Sequence, residues 1–467
     1  MNTNLHNHFN PIINQLLDDL HRLIGPVYLV GGGLRECLLD QPLSSELDLL
    51  VLLPLEICRH RLMAAGFQNL TPGNKYNSLL LHLNREEEPR EISITTCRHR
   101  PSQRPTVEED LLHRDITVNA MAYQWPDGPL TDPFHGQEDL AMRRIRLVNG
   151  ASTLQNDPLR AVRFYRFLLQ MQGEPDMDDL ALVERHSLEW VTEERLRNEL
   201  DKIFSLPLED EQSCKWFLRF FNSPLGNEIV PALQGLKSIF PDPNHQESLW
   251  DLSLNMMLHI PPPEEGEDMP LADLRWCALL HEIGRVKGQE EGNKVHGQGH
   301  YFDETIRLLE LFMTSHGFSK RRIRRILNII PHLDFDLFAT DRALRRLIQN
   351  HVPLEGLFRL LKAKRDASIH LEEDERLKLA EKYRRAMRRC QILRQALSRF
   401  SVQDLAISGG DIMELIRLRP GPWVGKLQEH LISWVTEDPS RNRRPELEKR
   451  CWEWVAENDM FSFEGEV

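Results

Sequence analysis

Cysteine is scarce and scattered in this chain. Seven cysteines occur among 467 residues, and no two of them form a Cys-x-x-Cys pair. A disulfide-linked framework and a cysteine-bound zinc site both need cysteines at characteristic spacings, so this distribution argues against both. A reducing compartment fits such a chain, and we therefore expect a cytoplasmic protein.

Long apolar runs are also missing. No uninterrupted apolar stretch approaches the roughly 20 residues that span a bilayer. The first residues lack the basic, apolar and small-residue order of a secretion signal. We therefore expect no membrane partner. The apolar fraction of 41% and the charged fraction of 28% are typical of globular proteins, and the length predicts more than one domain.

An excess of basic residues is the third absence. The chain has 58 Lys and Arg against 71 Asp and Glu, a net charge of −13. This total argues against a strongly electropositive nucleic-acid binder, although the distribution of charge matters more than its sum. Acids are concentrated at residues 86–88 and 264–268, and bases at residues 320–325, 342–346, 384–389 and 441–444. Each basic run fits either a solvated helix face or a phosphate-binding surface.

The most informative stretch joins glycines to a pair of acids. An apolar strand at 27–30 runs into three glycines at 31–33, and a second apolar strand carries Glu46 and Asp48. Residues i and i+2 on a strand share a face, so the two carboxylates project together and suit a hard cation such as Mg²⁺. Glycines let backbone N–H groups approach an anion closely. Each half alone fits a tight turn or a solvated face, but together they predict nucleotidyl transfer.

This stretch resembles the head motif of the class II tRNA nucleotidyltransferase and poly(A) polymerase family, in which Gly-Gly-x-x-Arg-Asp precedes Asp-x-Asp. Further segments resemble the same family in the same order. They lie at residues 112–123, 132–140, 156–167 and 194–200, and residues 404–411 and 420–425 resemble the tail of long bacterial members. The chain departs from the family pattern at Glu36, Glu46, His113 and Asn156.

The resemblance and the periodicity predict the same α+β architecture. Residues 10–24 have the spacing of an opening helix, residues 27–125 contain short β-rich runs that include a strand at 91–97, and the period is helical after about residue 135. We predict a small mixed α/β nucleotidyltransferase head followed by a long all-helical neck, body and tail. The expected bounds are 1–140 for the head, 141–235 for the neck, 236–370 for the body and 371–467 for a tRNA-binding tail.

The resemblance implies a catalytic role for the acids. Glu46 and Asp48 are expected to hold Mg²⁺, and Glu91 is a candidate third carboxylate, with a charge on an edge strand as its alternative. The residues expected to hold the triphosphate are Gly31, Gly32 and Arg35.

A second set of candidates lies in the segment 112–123. Asp115 and Asn119 are four residues apart, as are Asn119 and Tyr123, so on a helix they would share one face. Such a face could grip the ribose and the metal-bound phosphate. The alternative is an Asp that caps a helix and a buried, hydrogen-bonded Asn. Arg114 is the expected phosphate ligand beside them.

A third set begins at Asp157. The spacing of Asp157, Arg160 and Arg163 predicts a stripe along one helix, and Arg166 continues the nucleotide-binding segment. Carboxylate and guanidinium groups together match the hydrogen-bonding edge of a base. The resemblance implies that Asp157 and Arg160 read the Watson–Crick edge of CTP or ATP without a template. The alternative is a plain ion pair within the helix.

Residues 278–285 resemble the His-Asp signature of metal-dependent phosphohydrolases, with His281 followed by Glu282. Such a site needs a further upstream histidine, and Leu252 occupies the corresponding position. His259, His296 and His300 are unsupported as ligands. We expect a helical scaffold that has lost its metal.

The expected function is template-independent addition or repair of the CCA end of tRNA, from CTP and ATP with Mg²⁺. Three alternatives stay open. One is a poly(A) polymerase or a partial CC- or A-adding enzyme of the same fold. The second is a catalytically weakened RNA-binding homologue, which the departures from the family pattern favour. The third is a metal phosphohydrolase centred on His281.

Overall fold

The structure is a computed structural model. It describes residues 5–43, 46–73, 78–83, 91–98, 105–241, 246–262, 269–290, 298–335, 340–367, 373–399, 401–418 and 420–458. The acidic runs at 86–88 and 264–268 lie outside these residues, as do His296 and the side chain of His300. The chain divides into two compact units, Met1–Pro231 and Ala232–Val467. The finer division into four parts stays a prediction.

The described strands all belong to the first unit. They are β1 (Val27–Val30), β2 (Glu46–Val51), β3 (Leu70–Gly73), β4 (Ser78–His82), β5 (Glu91–Thr96), β6 (Ala122–Gln124), β7 (Leu130–Thr131), β8 (Arg144–Ile145) and β9 (Glu174–Pro175).

Helices occur in both units. Those of the first are α1 (Pro11–Ile24), α2 (Gly31–Leu38), α3 (Leu55–Ala64), α4 (Val107–Leu112), α5 (Gly136–Ala141), α6 (Gly150–Asn156), α7 (Arg160–Gln170), α8 (Met177–Glu184), α9 (Glu193–Phe204), α10 (Glu211–Asn222) and α11 (Pro224–Ile229). Those of the second are α12 (Leu249–His259), α13 (Leu271–Leu280), α14 (Ile283–Glu290), α15 (Gln298–Ser315), α16 (Lys320–Leu327), α17 (Asp341–Gln349), α18 (Leu354–Asp366), α19 (Glu373–Arg399), α20 (Gly409–Ile416), α21 (Pro422–Glu437) and α22 (Arg444–Glu457).

The head contains one mixed sheet with the strand order β3-β4-β5-β2-β1-β6-β7. The pair β2 and β5 is parallel, whereas β1 pairs with β2, and β4 with β5, in the antiparallel sense. Val30 lies opposite Asp48, and Glu46 lies opposite Glu91. A mixed sheet followed by helices confirms the predicted α+β fold, and β5 confirms the predicted strand at 91–97.

The opening helix shows why these residues fold as predicted. The side chain of Asn10 accepts a hydrogen bond from the backbone N–H of Ile13 at 2.9 Å, and Pro11 occupies the first helical position. Gly25, with φ of 86°, ends the helix. The buried face has helical spacing and consists of Ile13, Leu17, Leu20 and Ile24.

The described part of the second unit is built from helices that pack around apolar side chains. Every residue of α13 is buried, and α13 packs against α12, α16 and α18. A separate cluster joins α20, α21 and α22 through side chains that include Ile412, Leu427, Leu431 and Leu447. Within the described parts of the chain, no helix is both long and apolar enough to cross a membrane.

Candidate active site

The chain turns sharply at Gly31, where β1 ends and α2 begins. Gly31 has φ of 68°, in the left-handed region that favours glycine. A Cβ atom at this position would lie 2.9 Å from Oδ2 of Asp48 and 3.6 Å from Nη1 of Arg114. Glycine therefore lets a carboxylate and a guanidinium approach the start of α2. The first backbone N–H groups of a helix, here those of Gly31 and Gly32, have no intrahelical acceptor and suit an anion.

The predicted acids come together along two adjacent strands. Glu46 and Asp48 face the same cavity from β2, and Glu91 faces it from the first position of β5, directly opposite Glu46. The interpretation of Glu91 as an edge-strand charge was wrong, because β5 lies between β4 and β2. Oε2 of Glu91 is 2.9 Å from Nδ1 of His82 on β4.

The electrostatics of Asp48 suit a bound cation. Burial raises the pKa of Asp48, the neighbouring Arg114 opposes this rise, and the like charge of Glu46 adds to it. A cation between Glu46 and Asp48 would relieve both the burial cost and the repulsion. Two carboxylates with substrate phosphates and water are the usual ligands of Mg²⁺. Among the described residues, no three His, Cys, Asp or Glu side chains are grouped as a ready metal site.

Arg114 is oriented by Asp110, a residue that sequence reasoning missed. Asp110 is 2% exposed, and its Oδ2 accepts hydrogen bonds from Nε and Nη2 of Arg114 at 3.3 and 3.2 Å. Its Oδ1 accepts from the backbone N–H and Nε of Arg98 at 3.1 and 2.9 Å. Burial by itself would raise the pKa of Asp110, but Arg114 and Arg98 outweigh it and lower the pKa. One carboxylate therefore fixes two guanidinium groups.

Asp115 and Asn119 lie side by side, but they do not share an α-helix. A 3₁₀ turn at Thr117–Asn119 is followed by β6, so the predicted common helix face with Tyr123 was wrong. The Tyr123 hydroxyl instead donates to a backbone carbonyl at 2.6 Å. Nδ2 of Asn119 donates to Oδ1 of Asp115 at 3.4 Å, and Oδ1 of Asn119 accepts from Nη1 of Arg35. Asn119 is thus buried and hydrogen-bonded.

Asp115 also forms an ion pair with an arginine of α7. Its Oδ2 lies 2.5 Å from Nη2 of Arg163. Burial alone would raise the pKa of Asp115, but Arg163, the backbone N–H of Ile116 and Arg160 together hold it well below its usual range. Asp115 is therefore a carboxylate at neutral pH and links the head to α7.

Asp157 precedes α7, so the predicted stripe of three residues along one helix was wrong. Its backbone is extended, with φ of −156° and ψ of 104°. Pro158 follows, and a residue before proline is kept out of the helical region. Oδ2 of Asp157 lies 2.8 Å from Nη2 of Arg195 on α9. The alternative of an ion pair within one helix was therefore wrong as well.

The arginines of α7 have separate partners. Nη1 of Arg160 donates to the carbonyl oxygen of Thr153 at 3.1 Å, and Nη2 donates to that of His113 at 2.5 Å. A guanidinium has five N–H donors, and these bonds use two of them. Nε of Arg166 donates to Oε2 of Glu199 at 2.8 Å. Arg160 therefore keeps donors for a ligand, whereas Arg166 ties α7 to α9.

One cavity of about 510 Å³ in the first unit brings most of these groups together. The predicted residues in its wall are Glu46, Asp48, Glu91, Arg114, Asp115, Asp157, Arg160 and Arg163. The predicted residues outside its wall are Gly31, Gly32, Arg35, Asn119 and Arg166. The carboxylates of the sheet therefore line the same cavity as Asp157, Arg160 and Arg163.

Known proteins are similar to this chain in sequence. Residues 27–146 match the family model of the poly A polymerase head domain. The multifunctional CCA protein of Vibrio cholerae is 35% identical over 277 residues, which cover 56% of this chain and 64% of the relative. The multifunctional CCA protein of Legionella pneumophila is 28% identical over 272 residues, covering 56% and 63%. The chain is thus similar to members of the class II tRNA nucleotidyltransferase and poly(A) polymerase family.

The fold likeness extends over nearly the whole chain. The crystal structure of the Bacillus stearothermophilus CCA-adding enzyme in complex with CTP matches with a TM-score of 0.61 at 19% identity, covering 97% of this chain and 99% of that one. The alignments with the two multifunctional CCA proteins span just under two thirds of each relative's length. Nucleotidyltransferases of the family that this chain resembles generally use divalent metal ions.

Several residues in or beside the cavity escaped sequence reasoning. Asp110 could have been found, because it lies four residues before Arg114 at the end of α4, a spacing that favours an ion pair. Arg195 lies within a recognised motif, yet its contact with Asp157 needs the packing of α9. No sequence signal marks Arg98 or His82, whose positions depend on the sheet.

The His281 motif lies at the end of α13 in the second unit. Nδ1 of His281 is 2.9 Å from the carbonyl oxygen of Ala278, and Nε2 is 3.6 Å from Oε1 of Glu282. Burial lowers the pKa of His281, so the ring is neutral at pH 7. Nε of Arg285 donates to Oε2 of Glu282 at 2.5 Å. Glu282 is therefore paired with Arg285, and the loss of a metal at this motif stays a prediction.

Some arginines of the basic runs form ion pairs with acids of the second unit. Arg322 and Arg325 both donate to the carboxylate of Asp273, which is 2% exposed, and Arg322 does so at 2.5 Å. Nη2 of Arg389 donates to Oδ1 of Asp341 at 2.5 Å. The exposed bases of α16 are Lys320, Arg321 and Arg324. A basic run thus mixes structural and outward-facing charges.

Proposed function

We propose that this protein is a template-independent RNA 3′-terminal nucleotidyltransferase that adds or repairs the CCA end of tRNA from CTP and ATP. The single observation that carries the proposal is the shared cavity, in which the strand carboxylates face Asp157 and Arg160. The names of the related multifunctional CCA proteins support it. Since tRNA ends are completed where tRNA is made, the proposal places the protein in the cytoplasm.

The head would carry the transfer step. Glu46 and Asp48 would hold Mg²⁺, which supplies charge neutralisation at the attacking and leaving oxygens. Arg114 and the N–H groups at the start of α2 would bind the triphosphate beside them. Such chemistry needs positioning and charge stabilisation more than covalent help from the protein.

The neck would select the base. Asp157 accepts hydrogen bonds and Arg160 donates them, so the pair offers both functions that a cytosine or adenine edge requires. Arg195 fixes Asp157, and two carbonyl oxygens fix Arg160, which leaves neither group much rotational freedom. Held rigidly, the two side chains would discriminate CTP and ATP from GTP and UTP without a nucleic-acid template.

The test is incorporation of labelled nucleotides into tRNA transcripts. Transcripts that end before the CCA, after the first C and after the second C are each incubated with CTP alone, ATP alone or both. We expect two additions with CTP on the first transcript, one with ATP on the third, and no further growth after the terminal A. Asp48→Ala protein is the matched control.

The other outcomes separate the alternatives. A long ladder with ATP alone would identify a poly(A) polymerase of the same fold, and additions limited to C or to A would identify a partial enzyme. Absence of incorporation by folded protein on every transcript would overturn the proposal and leave the RNA-binding homologue.

A further inference from the structure

Three polar side chains form a row across neighbouring strands of the head. His82 on β4 lies directly opposite Glu91 on β5, and Glu91 lies directly opposite Glu46 on β2. Ser78 and Leu80 line the cavity, and His82 shares their face of β4 because it lies two residues beyond Leu80. The row therefore lies on the cavity side of the sheet.

His82 is hydrogen-bonded through both ring nitrogens. Nδ1 lies 2.9 Å from Oε2 of Glu91, and Nε2 lies 2.8 Å from Oγ1 of Thr71 on β3. An ionised carboxylate can only accept, so Nδ1 carries the proton that bonds to Glu91. In a neutral ring, Nε2 then accepts the hydrogen of the Thr71 hydroxyl. These two bonds fix the orientation of the imidazole, and with it that of the Glu91 carboxylate.

The pair of His82 and Glu91 adds little to stability but holds a side chain of the cavity wall. The two side chains are 46% and 26% exposed. Ion pairs at such positions stabilise a fold only slightly. Glu91 lines the cavity, whereas His82 and Thr71 are outside its described wall. His82 is therefore placed behind Glu91, as the group that orients it.

Glu91 needs such a partner because its neighbour on the other side has the same charge. Glu46 lies directly opposite Glu91, and like charges on adjacent strands repel. The bond to Nδ1 of His82 opposes this repulsion by holding the carboxylate in place. It engages Oε2 on the side of β4, so Oε1 is the oxygen that Glu91 presents to a cation in the cavity.

We propose that His82 is a positioning residue for nucleotidyl transfer, which holds Glu91 beside the cation site of Glu46 and Asp48. The proposal rests on the proposed function and adds to it a residue outside the cavity wall. A hydrogen-bond partner of a carboxylate beside a metal ion changes metal affinity or activity by roughly 10–100-fold. His82 itself would touch neither the nucleotide nor the metal ion.

The experiment compares His82→Leu with His82→Asn. Leu and Asn branch at Cγ as His does, but only Asn places an N–H group near the position of Nδ1. Mn²⁺ affinity is measured by electron paramagnetic resonance without nucleotide. Incorporation into tRNA lacking its CCA end gives kcat and the KM for CTP.

His60→Leu is the matched control, since His60 is an exposed histidine of α3 outside the cavity wall. Thermal unfolding checks that each variant is folded. Glu91→Gln, alone and combined with His82→Leu, completes a double-mutant cycle that asks whether the two residues act as a unit.

We expect His82→Leu to weaken Mn²⁺ binding and to lower kcat, each roughly tenfold. The KM for CTP should be unchanged, because the phosphates and the base are bound by other groups. His82→Asn should stay close to the parent protein. In the Glu91→Gln protein, His82→Leu should have no further effect, because His82 acts through the carboxylate that is already lost.

Four results would overturn the proposal. Equal losses in His82→Leu and His82→Asn would mean that the imidazole acts through its shape and not through Nδ1. Parental values in His82→Leu would reduce the pair to a surface contact. Additive losses in the double variant would make His82 independent of Glu91. A lowered kcat with parental Mn²⁺ affinity would separate Glu91 from the cation site.

The proposed function fails in a different way. Mn²⁺ affinity is measured without nucleotide or RNA, so the coupling of His82 to Glu91 is read even from a protein that adds no nucleotide. A failure of the proposed CCA addition would be seen separately, as absent incorporation by a folded parent protein that still binds the ion.

Discussion

Two buried aspartates, one in each unit, have similar partners and different surroundings. Asp115 forms an ion pair with Arg163 of α7. Asp273 forms ion pairs with Arg322 and Arg325 of α16. Asp115 forms part of the wall of the 510 Å³ cavity, whereas Asp273 lies on the fully buried helix α13. The same ion-pair chemistry therefore borders a ligand space in the first unit and holds a surface helix in the second.

The role of each arginine therefore depends on the surroundings of the aspartate with which it forms an ion pair. Arg163 is near other arginines and a cavity, so its charge acts on whatever enters. Arg322 is bound to an acid inside the protein, so its charge serves mainly to stabilise the fold. Variants of the two units should therefore separate into losses of activity and losses of stability.

The largest effect is expected at Asp48. Asp48→Ala removes a carboxylate that fits the metal ion and should lower nucleotide incorporation on the order of a thousandfold, since metal charge stabilisation is worth several kcal/mol. Unfolding of the variant should match that of the parent protein. Single-turnover incorporation and thermal unfolding measure the two quantities, and undiminished turnover would contradict the active-site assignment.

Asp273→Asn should lower the stability of the protein and leave its activity unchanged, the reverse of Asp48→Ala. It removes the carboxylate charge that Arg322 and Arg325 share, and breaking an ion pair with a buried member costs about 3 kcal/mol. Denaturant unfolding should register this loss in the second unit. Incorporation per folded molecule should be unchanged at low salt, and a large fall in kcat would show that the second unit contributes to the chemical step.

Asp115→Asn should affect stability in a pH-dependent way. The folded-state pKa of Asp115 lies below its ordinary value of 3.8, so the stabilisation is fully present above about pH 4 and is lost as the pH falls through the lowered value. The variant should be less stable than the parent protein by about 2 kcal/mol at pH 7. The difference should shrink as the solution is acidified, and a constant difference would mean that Asp115 acts through packing alone.

Arg160→Ala should reduce kcat/KM for both CTP and ATP roughly tenfold, the effect of losing one charged hydrogen bond. Triphosphate affinity should change little, because the phosphates are expected at Arg114. Competition by inorganic triphosphate measures that affinity. Equal nucleotide preference and rate in variant and parent would leave Asp157 and Arg160 as structural groups only.

The smallest effect concerns the exposed bases of α16. Replacing Lys320, Arg321 and Arg324 by Gln should lower the salt slope of tRNA binding by up to about one unit for each phosphate that these side chains neutralise, with no change in nucleotide choice. Arg322 and Arg325 are left intact, since their loss would also disturb Asp273. A slope equal to that of the parent protein would identify this run as a solvated face.

The sequence predicted the head fold and the acids because both depend on local order. Strand periodicity places Glu46 and Asp48 on one face whatever the tertiary fold. Residue spacing failed at Asp157. It predicted that Asp157 lies on the same helix as Arg160, but the following Pro158 keeps Asp157 out of the helix. It also missed Asp110 and Arg98 as a pair, since their contact joins the end of β5 to α4. The four-part domain division remains a prediction.

The parallel pairing of β2 with β5 has a consequence for the order in which the site is assembled. Gly31 meets Asp48 through an antiparallel pair of neighbouring strands, which closes a short loop. Glu46 meets Glu91 only when β5 pairs with β2, and the chain between these two strands contains α3, β3 and β4. Longer loops carry a larger closure entropy and form later. During synthesis and refolding, the turn at Gly31 should therefore form before Glu91 reaches Glu46. A partly folded head would then bind a nucleotide before it could transfer it.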